Sequence, residues 1–351
     1  MQPASGDHHP LTVTNVISGQ ALSGWRNKRR LRTNKSPRFG IIPSLLEIGV
    51  SLSGTTAVYE LLRFERYPLR PRLEFDVASR RTVLGLIEED VRGVMRIRPG
   101  VELASLSDIG CQRENNEDQY AYWEPANDQE FARKGRLAIV ADGMGGHEGG
   151  QEASRIAVES IQEVFAETAD ADAQSLLLTG FQIAHERILD YAAGHPELHG
   201  MGTTATAIAL LGNQLYYAHV GDSRLYLVRE ANISRLTHDH SYVGRLVQNG
   251  VISAEEAETH PQRHILTAAL GAGTEISPEI PEHPIALQKG DVLVLCTDGM
   301  WSLLSEPEIQ GIVSSNDPPE ACRALVKTTK DRGGPDNITV QVLRLITNEA
   351  S

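Results

Sequence analysis

Three runs in this chain are apolar almost without interruption: LAIVA at 137–141, AIALL at 207–211 and VLVLC at 292–296. A strand with one wet face alternates polar and apolar residues, whereas unbroken runs of small and branched side chains need cover on both faces. The same sequence supplies the cover. Residues 151–165 carry Ala153, Ile156, Ala157, Ile161, Val164 and Phe165 at helical spacing, and 174–191 and 319–330 read as further helices. Other strands follow in quick succession, QLYYAHV, RLYLVR and NISRLT, across short turns at Gly212-Asn213 and Glu230-Ala231-Asn232, which suits antiparallel hairpins. VELASLSDIG opens the series and NITVQVLRLI closes it. The expectation is an α+β fold of layered sheets covered on the outside by helices.

The first hundred residues read differently. They carry 16 Lys/Arg against 9 Asp/Glu, a net of +7, while the rest carries 17 against 37, a net of −20. The expected organisation is a basic, partly disordered N-terminal extension over 1–98 and a folded domain over 99–347. Met95 stands just ahead of the first well-patterned segment, so the stretch upstream is expected to be dispensable, or not translated from the true start. The basic run from Trp25 to Lys35 reads as a solvated tail. The strongly acidic remainder opposes binding to a polyanion, and no nucleic-acid partner is expected. MQPASGDHHP lacks the layout of a signal peptide. The apolar stretch from Phe39 to Leu62 is interrupted by Pro43, Glu47 and Glu60, so no membrane span is expected there. The three cysteines, Cys111, Cys296 and Cys322, form no CxxC pair, which argues against a disulfide framework or zinc knuckle and suits a reducing cytoplasm.

The acidic residues then stand out by position. Asp142 follows LAIVA, Asp222 follows YYAHVG, Asp298 follows VLVLCT and Asp336 precedes NITVQV, while Glu117 and Asp118 stand just ahead of QYAYW. Any one of them is an ordinary turn residue. Together they can converge at one edge of a sheet pair, where unpaired carboxylates repel one another and titrate abnormally. Divalent cations remove that penalty, and oxygen-only ligands favour magnesium or manganese over zinc. DGMGGHEGG places five glycines in the eight positions after Asp142. Gly143 can offer its carbonyl to a metal only if no side chain crowds the approach, and Gly145, Gly146, Gly149 and Gly150 let the loop turn tightly into the next helix. No Lys follows, so this is not a P-loop.

In order, RENNEDQY, DGMGGHEGG, GTTATA, VGDSR, LTHDHS, TDGMWSLL and GGPDN resemble the PPM/PP2C family of metal-dependent protein serine/threonine phosphatases, its bacterial branch above all, from about residue 101 to 347. The resemblance implies a PP2C-like α-β-β-α sandwich, two antiparallel sheets flanked by helices, with two Mn2+ or Mg2+ ions and a possible third. It implies that Asp142 bridges both ions, that Asp298 and Asp336 complete one site, and that Glu117 and the Gly143 carbonyl serve the other. Asp118 would hold a metal-bound water, and Asp222 with Asp298 would form the third, weaker site. Arg113 matches the arginine that binds substrate phosphate, a task suited to a planar guanidinium with parallel donors. The implied reaction is hydrolysis of phosphoserine or phosphothreonine by direct attack of a metal-bridging hydroxide, without a phosphoenzyme. The implied partners are phosphorylated Ser/Thr proteins, a Ser/Thr kinase among them, and the implied state is a monomer.

One departure concerns the general acid. Met144 stands where mammalian members place a His, and His147 comes three residues later, so a phosphate-bound or a metal-bound water could each serve. The stretch from Ser241 to Leu270 resembles the family's flap, a mobile lid beside the site. Many bacterial relatives carry a C-terminal membrane span; this chain ends four residues after Thr347 without one, and a cytoplasmic enzyme is expected.

Rival chemistries fit less well. A cysteine phosphatase needs its nucleophile ahead of a phosphate loop that ends in Arg, yet Cys111 has Arg113 only two residues on, and Cys296 and Cys322 fall in a strand and a helix. A zinc hydrolase needs clustered histidines. His238 and His240 read as a surface HDH turn, and His185, His195, His199 and His264 show no pattern. The alternative of another class is a catalytically inactive PP2C-like phosphoprotein-binding or scaffold domain. Such domains usually lose an aspartate, and none is missing here.

Overall fold

The computed structural model describes residues 48–53, 56–61, 73–76, 98–145, 148–169 and 171–347. The chain divides into two units, Met1–Val94 and Met95–Ser351. In the first, β1 (Ile48–Ser53), β2 (Thr56–Leu61) and β3 (Leu73–Asp76) form an antiparallel sheet in that order. The apolar stretch from Phe39 to Leu62 thus contributes two strands. The basic run from Trp25 to Lys35 lies outside the described residues.

The second unit contains two antiparallel sheets. One has the order β11 (Asn232–Arg235), β10 (Arg224–Arg229), β13 (Val292–Cys296), β14 (Ile338–Leu345) and β4 (Val101–Asp108). The other runs β12 (Ile285–Ala286), β9 (Gln214–Val220), β8 (Ala205–Leu211), β6 (Arg136–Met144) and β5 (Asp118–Trp123), with β7 (Gly202–Thr203) paired to the end of β6. Helices α2 (Glu148–Glu167) and α3 (Ala173–Gly194) cover the second sheet, and α7 (Glu306–Ser315) and α8 (Pro318–Asp331) cover the first.

Three apolar layers follow, and they account for the unbroken runs. Ala138 and Val140 point inward and pack with Ile208, Leu225, Leu295 and Leu343 between the sheets. Leu137, Ile139 and Ala141, their immediate neighbours, point outward onto Ile161, Phe165 and Phe181 of α2 and α3. Val294, Cys296 and Val340 likewise meet Ile309 and Leu325 of α7 and α8. Each large aliphatic or aromatic side chain buried this way contributes roughly 1.5–3 kcal/mol, and a strand flanked by two such layers has no room for polar alternation.

The α-β-β-α sandwich is as expected, and the local boundaries shift. Helix α2 begins at Glu148, so Gly149 and Gly150 lie in its first turn and not in the loop before it. Strand β6 runs past Asp142 to Met144, where β7 pairs with it, so Asp142 sits inside a strand and not beyond its end. The run TTATAIALL is broken at Thr204 between β7 and β8. A short helix, α1 (Asp128–Lys134), capped by the Asn127 side chain, was not evident in the sequence; nor was α7, despite its Ser305/Glu308 capping box.

Candidate metal centre

Asp118 and Asp142 face each other in the register of β5 and β6, which puts two carboxylates side by side on one sheet. The backbone of Asp142 is pinned by the threonines of GTTATA. Its N–H donates to Thr204 Oγ1 at 3.0 Å, and its carbonyl accepts from Thr204 N–H at 2.9 Å and Thr203 Oγ1 at 2.8 Å. Thr204 Oγ1 also meets Ser223 Oγ at 2.7 Å, which ties in the loop that carries Asp222. The sequence offered these hydroxyls only as a motif; their task is to hold β6 at Asp142, where its pairing passes from β8 to β7.

Asp298 opens the short helix α6 (Asp298–Trp301) directly after β13, close enough to share a hydrogen bond with Asp142. Trp301 donates from Nε1 to the Asp222 carbonyl at 2.9 Å. Arg224 stacks 3.4 Å over that indole and grips Asp239 through two bonds of 3.0 and 2.6 Å. Asp336 precedes β14 and accepts from Arg113 Nη2 at 2.8 Å. The Arg113 side chain is 48% exposed, so the guanidinium stands at the rim with donors still turned to solvent.

Asn337 organises the other side. Its Oδ1 accepts from Glu117 N–H at 2.8 Å, and its Nδ2 donates to the carbonyls of Asn115 at 2.9 Å and Ile109 at 3.0 Å. One buried amide thus joins the strand-end loops that carry Arg113, Glu117 and Asp336. The Glu117 carbonyl accepts from Ser154 Oγ at 2.6 Å and from Gly143 N–H at 3.2 Å. The glycines are required by contact. A Cβ at Gly143 would lie 2.0 Å from the Gly150 carbonyl oxygen, and one at Gly150 would lie 2.5 Å from Glu117 Oε2. Strand β6 and helix α2 therefore nearly touch, with the Glu117 carboxylate between them. Gly146 and His147 lie outside the described residues.

The electrostatics match the packing. Burial, then Asp118, Asp298, Asp222 and Asp336, raise the Asp142 carboxyl well above its usual range. Burial, offset in part by bonds from Thr339 and Thr297 and reinforced by Asp298 and Asp336, pushes Asp118 up to about 7. Asp298 is raised by burial and Asp336, and Asp222 by burial, Asp298 and Asp239. Such a group cannot ionise together without positive charge in its midst. Asp118 adds a further sign: Thr297 Oγ1 donates to its Oδ2 at 2.8 Å, while its buried Oδ1 has no partner. Oxygen donors, mutual repulsion and an orphaned acceptor fit hard divalent cations.

The histidines need correction. His240 is not a surface-turn residue: it packs on buried His219 with ring centroids 4.9 Å apart, and its Nδ1 accepts from Gly221 N–H at 3.3 Å. His219, His240 and Glu279 bring three possible ligand atoms within 4.8 Å of one another. Yet His219 faces the Thr206 hydroxyl through Nδ1 at 2.8 Å and the carbonyls of Gly221 and His238 through Nε2 at 3.0 and 3.1 Å, so both nitrogens are engaged in holding the loop. Burial pushes the His219 ring down to about 4, which keeps it neutral. His264 stands near enough for its charge to favour the ionised form of Asp298. Cys296 and Cys322 are buried, and that burial pushes both thiols up to about 12, far from a thiolate nucleophile.

Comparison with known proteins gives a consistent answer. Residues 112–332 match the family model described as Protein phosphatase 2C. The chain is 36% identical over 257 residues to the protein phosphatase PhpP of Streptococcus pneumoniae, covering 71% of this chain and 100% of that protein. A solved serine/threonine phosphatase of S. agalactiae superposes with a TM-score of 0.64 at 34% identity, covering 70% of this chain and 99% of the other. The catalytic domain of the serine/threonine protein phosphatase PstP, solved in complex with 2 manganese ions, superposes with a TM-score of 0.61 at 31% identity, covering 71% and 99%.

Proposed function

Because the chain belongs to the protein phosphatase 2C family, we propose that the carboxylates gathered around Asp142 are its metal ligands and Arg113 its phosphate clamp. The protein is a metal-dependent serine/threonine phosphatase, a phosphoric monoester hydrolase that uses Mn2+ or Mg2+. The names of its relatives favour this enzyme over an inactive binding domain. The observation that carries the site assignment is the convergence of Asp118, Asp142, Asp222, Asp298 and Asp336, five separate stretches of chain, into one group whose charges act on one another.

In this reading Asp142, Asp298 and Asp336 would hold one ion, and Asp142, Glu117 and the Gly143 carbonyl would hold the other. Asp222 with Asp298 offers a third, weaker set. When bound, the ions supply the positive charge that makes water a competent nucleophile near neutral pH and that offsets charge on the phosphoryl oxygens. The chain's own residues do the rest. Arg113, at the rim, presents its outward donors to the phosphate and aligns it. Asp118, fixed through Oδ2 by Thr297, keeps an unpartnered Oδ1 that would serve as the acceptor orienting the attacking water. No side chain takes the phosphoryl group, in keeping with the buried, protonated state of Cys296 and Cys322.

Residues 99–347 form the phosphatase domain and 1–98 an extension to it. The substrates are proteins phosphorylated on Ser or Thr, with a Ser/Thr kinase among them, and the enzyme works as a monomer in the cytoplasm. No helix among the described residues is long and apolar enough to cross a membrane. The test is phosphate release from p-nitrophenyl phosphate and a phosphothreonine peptide with Mn2+, with EDTA, and in Asp298→Asn. Metal-dependent turnover that falls at least about 100-fold in the variant, with the melting curve retained, is expected; turnover equal to wild type would remove Asp298 from the ligand set.

A further inference from the structure

Beside the metal centre lies a cleft of about 550 Å³. Its walls include Met144, His240, Arg245, Thr267, Glu275 and Ile276. Two of these fix its position. Met144 directly follows Gly143, and His240 donates its backbone N–H to the carbonyl of Gly221, the residue before Asp222, at 2.7 Å. The cleft therefore opens beside the segments that carry Gly143 and Asp222.

The floor is tied down. Thr203 and Leu270 pair across backbone bonds of 3.0 and 2.9 Å, and Thr267 N–H donates to the His240 carbonyl at 2.7 Å. The wall that carries Arg245 is the helix α4 (Tyr242–Gln248), capped by Ser241 Oγ, which accepts from Gly244 N–H at 3.0 Å. Arg245 is exposed, and among the described residues its side chain makes neither a hydrogen bond nor an ion pair. The other arginine near this end, Arg224, is consumed by Asp239, and Asp239, which also lines the cleft, is thereby neutralised. Glu275, on the segment beyond the floor, is the remaining acidic group of the walls and has no ion pair with Arg245.

A guanidinium held on a capped helix over a cleft, with no protein anion to bind, is a reader of negative charge. We propose that Arg245 is a specificity-determining residue: it selects phosphoprotein segments that carry a second anionic side chain close to the phosphorylated residue. This rests on the phosphatase reading above and extends it to substrate choice. The second anion can be a carboxylate or another phosphate. A phosphate offers more acceptors and charge for the planar fork, so it should be preferred. The apolar contributions of Met144 and Ile276 then take the intervening side chains.

The test compares phosphothreonine peptides in which each flanking position in turn carries Ala, Glu, Lys or phosphoserine, with kcat/KM measured for wild type, Arg245→Lys, Arg245→Met, Arg245→Glu and Glu275→Gln. p-Nitrophenyl phosphate, which has no flanks, is run with every protein; absence of Mn2+-dependent turnover in wild type would sink the phosphatase reading itself and not the inference. At one or two positions wild type should prefer Glu to Ala, and phosphoserine to Glu, by about fivefold to tenfold. The preference should survive in Arg245→Lys and Glu275→Gln, vanish in Arg245→Met and invert toward Lys in Arg245→Glu. A wild-type enzyme indifferent to flanking charge, or an Arg245→Met variant with its preference intact, overturns the proposal.

Discussion

Replacing Gly150 with Ala should weaken Mn2+ binding far more than it weakens the fold. Gly150 sits in the first turn of α2, and alanine is the better helix former there by about 1 kcal/mol. The new methyl, however, would lie 2.5 Å from Glu117 Oε2 and 2.8 Å from the carbonyl carbon of Gly143. The first neighbour is the end of a side chain and can swing away; the second is backbone and must be pushed. Overpacking of this kind costs about 1–3 kcal/mol, so the propensity gain offsets part of it and the net loss of stability is about 0–2 kcal/mol. The displacement falls on Glu117 and Gly143, both assigned to one ion, and the Mn2+ Kd should rise about 10- to 100-fold. Gly311 in α7 is the control. A Cβ there meets nothing within 4 Å, so Gly311→Ala should gain about 0.5–1 kcal/mol, a Tm rise of about 1–4 °C, with Mn2+ affinity unchanged. Calorimetric Mn2+ titration and thermal melts of the three proteins decide the matter. A folded Gly150→Ala protein that binds Mn2+ like wild type would falsify the placement of Glu117 and Gly143 at the centre.

Three further outcomes are expected. Asp118 has a metal-free pKa pushed up to about 7, against an ordinary value of about 3.9, so its ionisation penalty is absent below about pH 4 and complete above about pH 7. Metal-free protein should therefore lose stability across that window, Asp118→Asn should lose less, and Mn2+ added near pH 6 should release protons; a pH-stat that records no release contradicts this coupling. Asn337→Ala strips three hydrogen bonds from the loop that carries Ile109, Asn115 and Glu117 and should cost about 2–4 kcal/mol, seen as a Tm fall of about 5–15 °C; a smaller shift means the loop holds without it. Arg113→Ala should raise KM for a phosphopeptide about tenfold or more without raising the Mn2+ Kd, because it removes a cation from Asp336 and no ligand; unchanged KM would take phosphate binding away from Arg113.

The legible parts of this molecule are those where one physical demand controls many consecutive residues. LAIVA, AIALL and VLVLC had to be doubly buried strands, and they are. The carboxylates were legible because a strand boundary marks each of them, although β6 carries on through Asp142 once β7 is there to pair with it. Contacts that join residues distant in the chain were not legible. Nothing local announces that Gly150 is bare to admit Glu117, that Asn337 binds a loop more than 200 residues upstream at two carbonyls, or that Trp301 and Arg224 stack to hold Asp222. His240 misled because HDH between polar residues looks like turn chemistry until His219 is found beneath it. Helix α1 has only seven residues, too few for a periodic stripe to emerge.

The candidate ligands are split between layers. Asp118 and Asp142 stand on one sheet, while Asp298 and Asp336 flank strands of the other, and the bond from Thr297 to Asp118 crosses the same seam. A cation seated among them acts as a rivet through both plates. Shear of one plate over the other is then resisted most at the end that carries the carboxylates. Pulled apart from that end in a single-molecule experiment, the sandwich would have to shed its ions before its hydrophobic filling gave way, and the force at first rupture would track the metal concentration in the bath.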